Sequence, residues 1–262
     1  MRLPAVAGQF YPGSGAELEH QLDGMLHPEK EIPCQGAVVP HAGYMYSGQV
    51  AAAVYSRLPK AETYVIIGPN HHGLGSPVAL SRESWRTPLG VVEPDLELAD
   101  ALSGSIIDHD ETAHLHEHSI EVQIPFLQKR FQGFKILPIC MGLQDEQTAL
   151  EVGQELSGAL QKLNRSCIVI ASSDFTHYEP QETARKVDAK LLEAILNMDV
   201  PELYERVYRY DATACGYGPI AATITATANL GAKVGQLLAY ATSGDVSGDY
   251  SQVVGYAAIA FS

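Results

Sequence analysis

The stretch Tyr64-Val-Ile-Ile-Gly-Pro-Asn-His-His-Gly73 decides how the chain is read. Its apolar run is too short for a helix, is rich in β-branched residues, and stops at Gly68 and Pro69, which punctuate a strand rather than prolong it. An uninterrupted apolar run of this kind reads as a strand covered on both faces. Two adjacent imidazoles, His71 and His72, then stand in a turn. Either they are polar punctuation at a strand end, or the strand delivers a ligand to a site.

Three further runs have the same character: 36–39, 135–139 and 167–171. Between them lie helix-like patterns at 47–58, 96–102, 149–163 and 180–197. Such alternation predicts an α/β layered sheet. Two C-terminal runs, 236–241 and 253–261, are separated by the turn-rich Ser-Gly-Asp-Val-Ser-Gly-Asp and predict an antiparallel pair, so the sheet should be mixed. No linker, repeat or low-complexity tract interrupts the chain, and residues 1–262 read as a single domain.

Hydrophobic residues make up 46% of the chain and charged ones 18%, a globular rather than a disordered balance. A formal net charge of −14, with 17 Lys and Arg forming no basic stripe, argues against nucleic acid as a partner. The first residues lack the apolar core of a signal peptide, and no run approaches a membrane span, so no membrane association and a cytoplasmic location are expected. Four widely spaced cysteines contain no CxxC pair and indicate neither a disulfide framework nor a zinc ribbon. Cys34, Cys140 and Cys167 lie in or beside apolar runs and are expected in the core.

Three strand-like runs end in loops that hold histidine: VVPHAGYMYSG around His41, VIIGPNHHG around His71 and His72, and IVIASSDFTHY around Asp174 and His177. In open α/β sheets the carboxyl ends of neighbouring strands line the ligand crevice. A lone loop histidine is most simply a turn or capping residue, but three on one rim could build a single site. Cys215, in Asp211-Ala-Thr-Ala-Cys-Gly-Tyr-Gly-Pro219, lies just upstream of a helix expected at 220–230. Its position favours a thiolate that serves as nucleophile or metal ligand, against the plainer role of a small residue in a glycine-rich turn.

The segment His114-Leu-His-Glu-His-Ser-Ile-Glu121 suggests a zinc protease but is not one, because Ile120 stands where the second histidine of HExxH is needed. Residues 117–131 read as a helix with Ile120, Ile124 and Leu127 inward and a bend at Pro125. His118 and Glu121 then share a face, with His118 towards the pocket. A solvated loop accounts for His109, His114 and His116.

Taken in order, PHAGYMYSG, GPNHHG, EHSIE, SSDFTH and TACGYGP resemble the MEMO family, and the likeness extends from Ala7-Gly-Gln-Phe-Tyr-Pro12 almost to the C-terminus. That family is similar in fold to the class III, LigB-like extradiol dioxygenases, which implies a three-layer α/β/α domain with a central mixed sheet. The resemblance also implies a metal held by His41, His71 and Cys215, with iron (Fe2+) first among the candidates and copper or zinc also compatible with the donors. Asp174, His177 and His118 are expected as catalytic groups, with Tyr11, Tyr44 and Glu121 lining the pocket beside Tyr46. Each ligand histidine should donate its second N–H to a carboxylate or carbonyl, and Asp174 is a candidate for that role or for orienting His177. A thiolate replaces the carboxylate of the dioxygenase iron face, so ring cleavage does not carry over.

Three functions compete. The first is a metal-dependent oxidoreductase acting on an unknown small molecule or peptide, in which His177 and His118 move protons. The second is a non-catalytic peptide- or protein-binding member that retains the pocket. Eukaryotic members are linked to receptor signalling and to phosphopeptides, and prokaryotic ones to AMMECR-type and radical-SAM partners. The third is a metal-free cysteine hydrolase with Cys215 as nucleophile and His41 or His177 as base.

Overall fold

The computed structural model describes residues 1–27 and 29–262. All four apolar runs are strands, and they lie side by side. In chain order the strands are β1 Gly36–Val39, β2 Thr63–Pro69, β3 Val78–Leu80, β4 Trp85–Thr87, β5 Gly90–Val92, β6 Asp108–His109, β7 Lys135–Met141, β8 Cys167–Ser172, β9 His177–Glu179, β10 Gly235–Thr242 and β11 Val253–Phe261. The main sheet runs β10-β11-β1-β8-β2-β7-β3-β6, with β9 added against β11, while β4 and β5 form a separate hairpin. β1, β8, β2 and β7 are mutually parallel. The expected C-terminal antiparallel pair is β10 with β11, and β11 also runs antiparallel to β1. Mixed pairing follows from connection length, since a short link joins β10 to β11 whereas helices cross over between the parallel strands.

Side chains alternate between two cores. Val38, Val65, Ile67 and Val169 face one, against helices Glu146–Leu163, Gln181–Leu196, Val200–Arg209 and Tyr217–Asn229. Ala37, Val39, Tyr64 and Ile66 face the other, against helices Gly15–Asp23, Tyr44–Tyr55 and Ile124–Arg130. Both faces of the sheet are therefore covered, giving three layers, α/β/α.

Several local expectations shift. The helix expected at 47–58 is Tyr44–Tyr55, because its first turn is seated by the buried Tyr44 ring, 4.7 Å from that of Phe126, and no capping side chain marks the start. The helix expected at 149–163 begins three residues earlier, at Glu146, where Asp145 accepts the Thr148 amide as N-cap. Residues 117–131 are not one helix. The buried Glu117 carboxylate accepts the amides of His118 and Ser119, which compete with helical bonds, so only a 3-10 turn Glu121–Gln123 and the helix Ile124–Arg130 form. Pro125 opens that helix rather than bending it. Ile120, Ile124 and Leu127 are buried as expected. Of the cysteines expected in the core, Cys140 is buried, but Cys34 and Cys167 lie at the amino ends of β1 and β8 and are only half-buried. Helix Val200–Arg209 and hairpin β4–β5 carried signals that the apolar runs overshadowed, including Asp199 as N-cap with Pro201 in the first turn.

His114 is not in a solvated loop. Its ring is buried, 5.6 Å from the Trp85 ring, and its Nε2 lies 3.2 Å from the Ala79 carbonyl. A carbonyl only accepts, so Nε2 carries the proton, and the buried Nδ1 has no partner among the described residues. Burial, reinforced by the Arg2 charge, pulls the His114 pKa down to about 4. An unfolded histidine titrates near 6.5, so as pH falls from about 6.5 towards 4 the unfolded chain takes up a proton that the folded chain refuses. Folding stability should decline through that window and stop declining, for this group, below about pH 4. Urea titrations across that range should show His114→Gln, which keeps a donor for Ala79, losing on the order of 3 kcal/mol less than the parent; an identical decline would refute the assignment.

Candidate metal centre

Each of three neighbouring parallel strands stops two residues before a polar side chain: β1 before His41, β8 before Asp174 and β2 before His71. Registers Val39 with Ser172 and Ile67 with Ala171 bring these ends level to within one residue. Cys215 arrives from the turn before helix Tyr217–Asn229. Gly68 and Gly216 make the approach of these loops feasible. A Cβ on Gly68 would collide with Ser119 Oγ, and one on Gly216 would lie 2.7 Å from the Ser172 carbonyl oxygen.

The result is a cluster of donors. One nitrogen from each of His41 and His71 and the sulfur of Cys215 all lie within 4.8 Å of one another. Cys215 Sγ is 3.2 Å from His41 Nε2, and the two imidazole rings are 5.2 Å apart, edge to face. Around a tetrahedral ion with zinc-like bond lengths, nitrogen and sulfur ligands stand about 3.6 Å apart, so a small closure or opening of this cluster fits one ion.

Hydrogen bonding fixes which ring nitrogen is free. Gln123 Nε2 donates to Ser172 Oγ at 2.8 Å, and Ser172 gives its only proton to the Ser119 carbonyl at 2.6 Å. What remains for His41 Nδ1, 3.0 Å away, is a lone pair, so Nδ1 carries the hydrogen and Nε2 faces Cys215 unprotonated. In His71, Nδ1 lies 3.0 Å from Glu117 Oε1 and donates to it, leaving Nε2 free. Burial, helped by the neighbouring His118 and His71, holds the His41 pKa well below the imidazole range. Burial alone would raise Glu117, but the His71 ring bond and charge and the amides of Ser119 and His71 outweigh it and hold the carboxyl well below its usual range.

Asp174 does not orient a ring nitrogen, the role expected for it. Its Oδ1 accepts the His41 amide at 2.8 Å, its own amide points at Cys215 Sγ at 3.3 Å, and its carbonyl accepts the Cys215 amide. Oδ2 lies 4.0 Å from His41 Nε2. Burial pushes its pKa up to about 6, against the His41 amide and the His177 charge. Near neutrality this carboxyl is poised to exchange a proton. Cys215 departs from the thiolate expectation, since burial and the adjoining Asp174 charge push its thiol upward and outweigh the helix terminus.

His118 stacks on His71 at 4.7 Å and lies 5.4 Å from His41, with its Nδ1 3.5 Å from Glu117 Oε1. Burial lowers its pKa to about 4 although Glu117 opposes the shift. His177 is anchored by Thr213, whose hydroxyl accepts its amide and whose carbonyl accepts Nδ1–H, so its Nε2 is free as well. Thr213 is two residues from Cys215, so one loop sets both side chains. The His71 side chain is 31% exposed, which opens the cluster to solvent on that side.

Tyr11, Tyr44 and Glu121, expected along the pocket, face elsewhere. Glu121 is fully buried and binds Arg2 at 2.6 Å, the Tyr11 hydroxyl at 2.6 Å and the amides of Ala5 and Val6, and Tyr44 donates to the Val122 carbonyl. Glu121 thereby clamps the N-terminal segment through Arg2, Ala5, Val6 and Tyr11. Tyr46 is partly exposed. His72 is exposed beside His116, with ring centres 6.1 Å apart. The sequence reading passed over Glu117, Ser172, Gln123 and Thr213. Glu117, Ser172 and Thr213 did sit inside the quoted motifs, but nothing in one sequence says which polar residue of a loop turns inward.

Residues 2–260 match the family model for Memo-like proteins. A "MEMO1 family protein" of Methanosarcina mazei is 58% identical over 264 residues, covering 99% of this chain and 98% of its own. Another from Archaeoglobus fulgidus is 51% identical over 261 residues, covering 100% and 99%. Among solved structures, an uncharacterized protein of Escherichia coli K12 aligns with a TM-score of 0.55 at 13% identity, over 87% of this chain and 100% of that one, a likeness of fold alone.

Proton placement at the two histidines is directly observable. Long-range proton–nitrogen NMR on metal-free protein should show His41 and His71 as Nδ1–H tautomers, with His41 uncharged at pH values where free imidazole is protonated. Ser172→Ala should let the Nε2–H form of His41 appear, and an unaltered His41 signal would contradict the assigned chain of donors.

Proposed function

The chain belongs to the Memo-like family, and from that membership and the geometry of the rim we propose that it is a metal-dependent oxidoreductase holding one ion with His41, His71 and Cys215. Ferrous iron is the first choice, on the resemblance to non-haem iron enzymes, with copper or zinc as alternatives that the soft sulfur donor also accommodates. One observation carries the reading. One nitrogen from each of His41 and His71 and the Cys215 sulfur lie within 4.8 Å of one another, while both Nδ1–H groups are already engaged by Ser172 and Glu117.

A bound ion supplies Lewis acidity and, if it is iron or copper, one-electron chemistry. The side chains supply the rest. Asp174, with its carboxyl near neutrality, is placed to hold or release a proton beside the cluster. His177 presents a free Nε2 on a fixed ring, and His118 stacks against a proposed ligand and stays neutral, suited to accept a proton. A small molecule or a peptide side chain reaches the cluster from the exposed His71 side.

The cysteine hydrolase reading uses the same 3.2 Å contact between Cys215 and His41. It is weaker, because burial and Asp174 keep the thiol protonated, whereas a nucleophilic cysteine needs a depressed pKa. It also leaves the Glu117–His71 arrangement without a purpose.

Anaerobic purification and loading should give one metal per chain, identified at its absorption edge. Cys215→Ser and His71→Ala should abolish stoichiometric loading, and Glu117→Gln should weaken affinity about 10- to 100-fold. Protein that takes up no metal, or a Cys215→Ser variant that loads normally, would overturn the proposal.

A further inference from the structure

The two ends of the main sheet are finished differently. β6 closes one end with Asp108 and His109 alone, both exposed, a short polar edge of the kind that discourages pairing with another chain. β10 closes the other with Gly235-Gln-Leu-Leu-Ala-Tyr-Ala-Thr242, a strand about 27 Å long at the usual rise per residue, with no charged residue and no proline. That is an unguarded edge in a chain of net charge −14. Leu238, Ala239 and Ala241 pack towards one core and Tyr240 towards the other, so the faces of the strand are covered. Its edge is what lies open. Leu237 is 38% exposed and Gln236 is exposed beside it.

The backbone of this edge is patterned for its own kind. Val234 and Ser262 exchange both of their hydrogen bonds, and the Ser243 amide donates to the Val254 carbonyl. In an antiparallel pair alternate residues bond to the neighbouring strand. Counting inwards from those two ends, Gln236, Ala239 and Ala241 bond to β11, while Gly235, Leu237, Tyr240 and Thr242 turn their amides and carbonyls outwards. The two outward sets are out of phase because a bulge between Leu237 and Ala239 inserts one residue. A bulge often spoils an edge for pairing. Here it lies at the middle of the strand, so a second copy running antiparallel about a two-fold axis at that point sets Leu237 opposite Tyr240 and Gly235 opposite Thr242, with every outward residue facing another. An off-centre bulge would leave part of that ladder mismatched. The ends are complementary as well. Lys233, exposed just before β10, is carried towards Asp245, exposed just after β10 in the second copy.

We propose that β10 pairs with β10 of a second copy of this chain and joins the two main sheets into one across a two-fold axis. Leu237 and Tyr240 exchange backbone bonds in both directions, and the Gly235 amide donates to the Thr242 carbonyl. The Thr242 amide takes no part, because the Asp245 carboxylate already accepts it at 2.8 Å.

Sedimentation equilibrium of the full chain tests this. It should show a reversible monomer–dimer equilibrium with a Kd of about 1–100 μM, the weak range of a narrow interface. Hydrogen exchange then locates the contact. At concentrations well above the Kd the amides of Leu237 and Tyr240 should be protected, and dilution well below it should release them, whereas those of Ala239 and Ala241, bonded within the chain, should stay protected throughout. Leu237→Lys places a charge on the open edge and should raise the Kd at least about tenfold, and Lys233→Glu roughly three- to tenfold, with circular dichroism unchanged in both. A chain still monomeric at about 500 μM, five times the weakest affinity expected, would overturn the inference. So would a dimer whose Leu237 and Tyr240 amides exchange as fast as in the monomer, or one that a folded Leu237→Lys chain forms undiminished. The exchange comparison uses the parent chain alone, so it decides the matter even where a variant does not fold.

Discussion

The parallel registration of β1, β8 and β2 is the constraint from which the rest follows. Adjacent strands stand about 4.8 Å apart, so three polar residues at the same offset past three level strand ends come within reach of one another without further arrangement. Val39 opposite Ser172 and Ile67 opposite Ala171 set that level. A one-residue slip of β8 would exchange its two faces, sending Val169 and Ala171 out of the core that fits them and into the opposite one. Two buried cores thus hold the register, and the register holds the site.

Burial then dictates the state of the side chains. His41 has almost no access to water, and a charged imidazole there would lose its hydration and face the His118 and His71 rings, which outweighs the nearby Glu117 carboxylate. The neutral ring needs one partner for its N–H, and the buried sequence Tyr55 to Gln123 to Ser172 provides it with every proton assigned. Glu117 solves the opposite problem. A fully buried carboxylate is tolerated because amides of His71, His118 and Ser119 and the His71 ring all donate to it. The same groups that make this carboxylate stable make the His71 ring immobile.

Behind Glu117 sits a second buried charge arrangement that ties the chain's beginning to its middle. Arg2 donates to Glu121 and to the carbonyls of His114 and Glu117, and its guanidinium lies 4.1 Å from the centre of the Trp85 ring. With Tyr11 and two amides also on Glu121, the turn carrying Glu117 and His118 is gripped from below. Removing one partner of such a pair typically costs 3–5 kcal/mol, so the support for the rim is strong although it lies outside the cluster. In the sequence these residues are more than a hundred positions apart, and no local pattern links Arg2 to Glu121.

Short β-branched runs closed by Gly, Pro or Ser suffice to read the strands, and their alternation with amphipathic segments suffices for a layered α/β sheet, because burial on two faces demands those compositions. The loops that carry His41, His71, Asp174 and Cys215 were legible for a related reason, as polar residues placed directly after buried strands or before a helix. Other features depended on contacts between distant segments: Glu117 breaking the helix expected at 117–131, His114 packing under Trp85, and Glu121 turning to Arg2 rather than to the pocket. Local sequence sets which conformations a segment prefers. The direction a buried polar side chain faces is decided by which distant donor or acceptor can satisfy it, and that exists only once the sheet has brought the segments together.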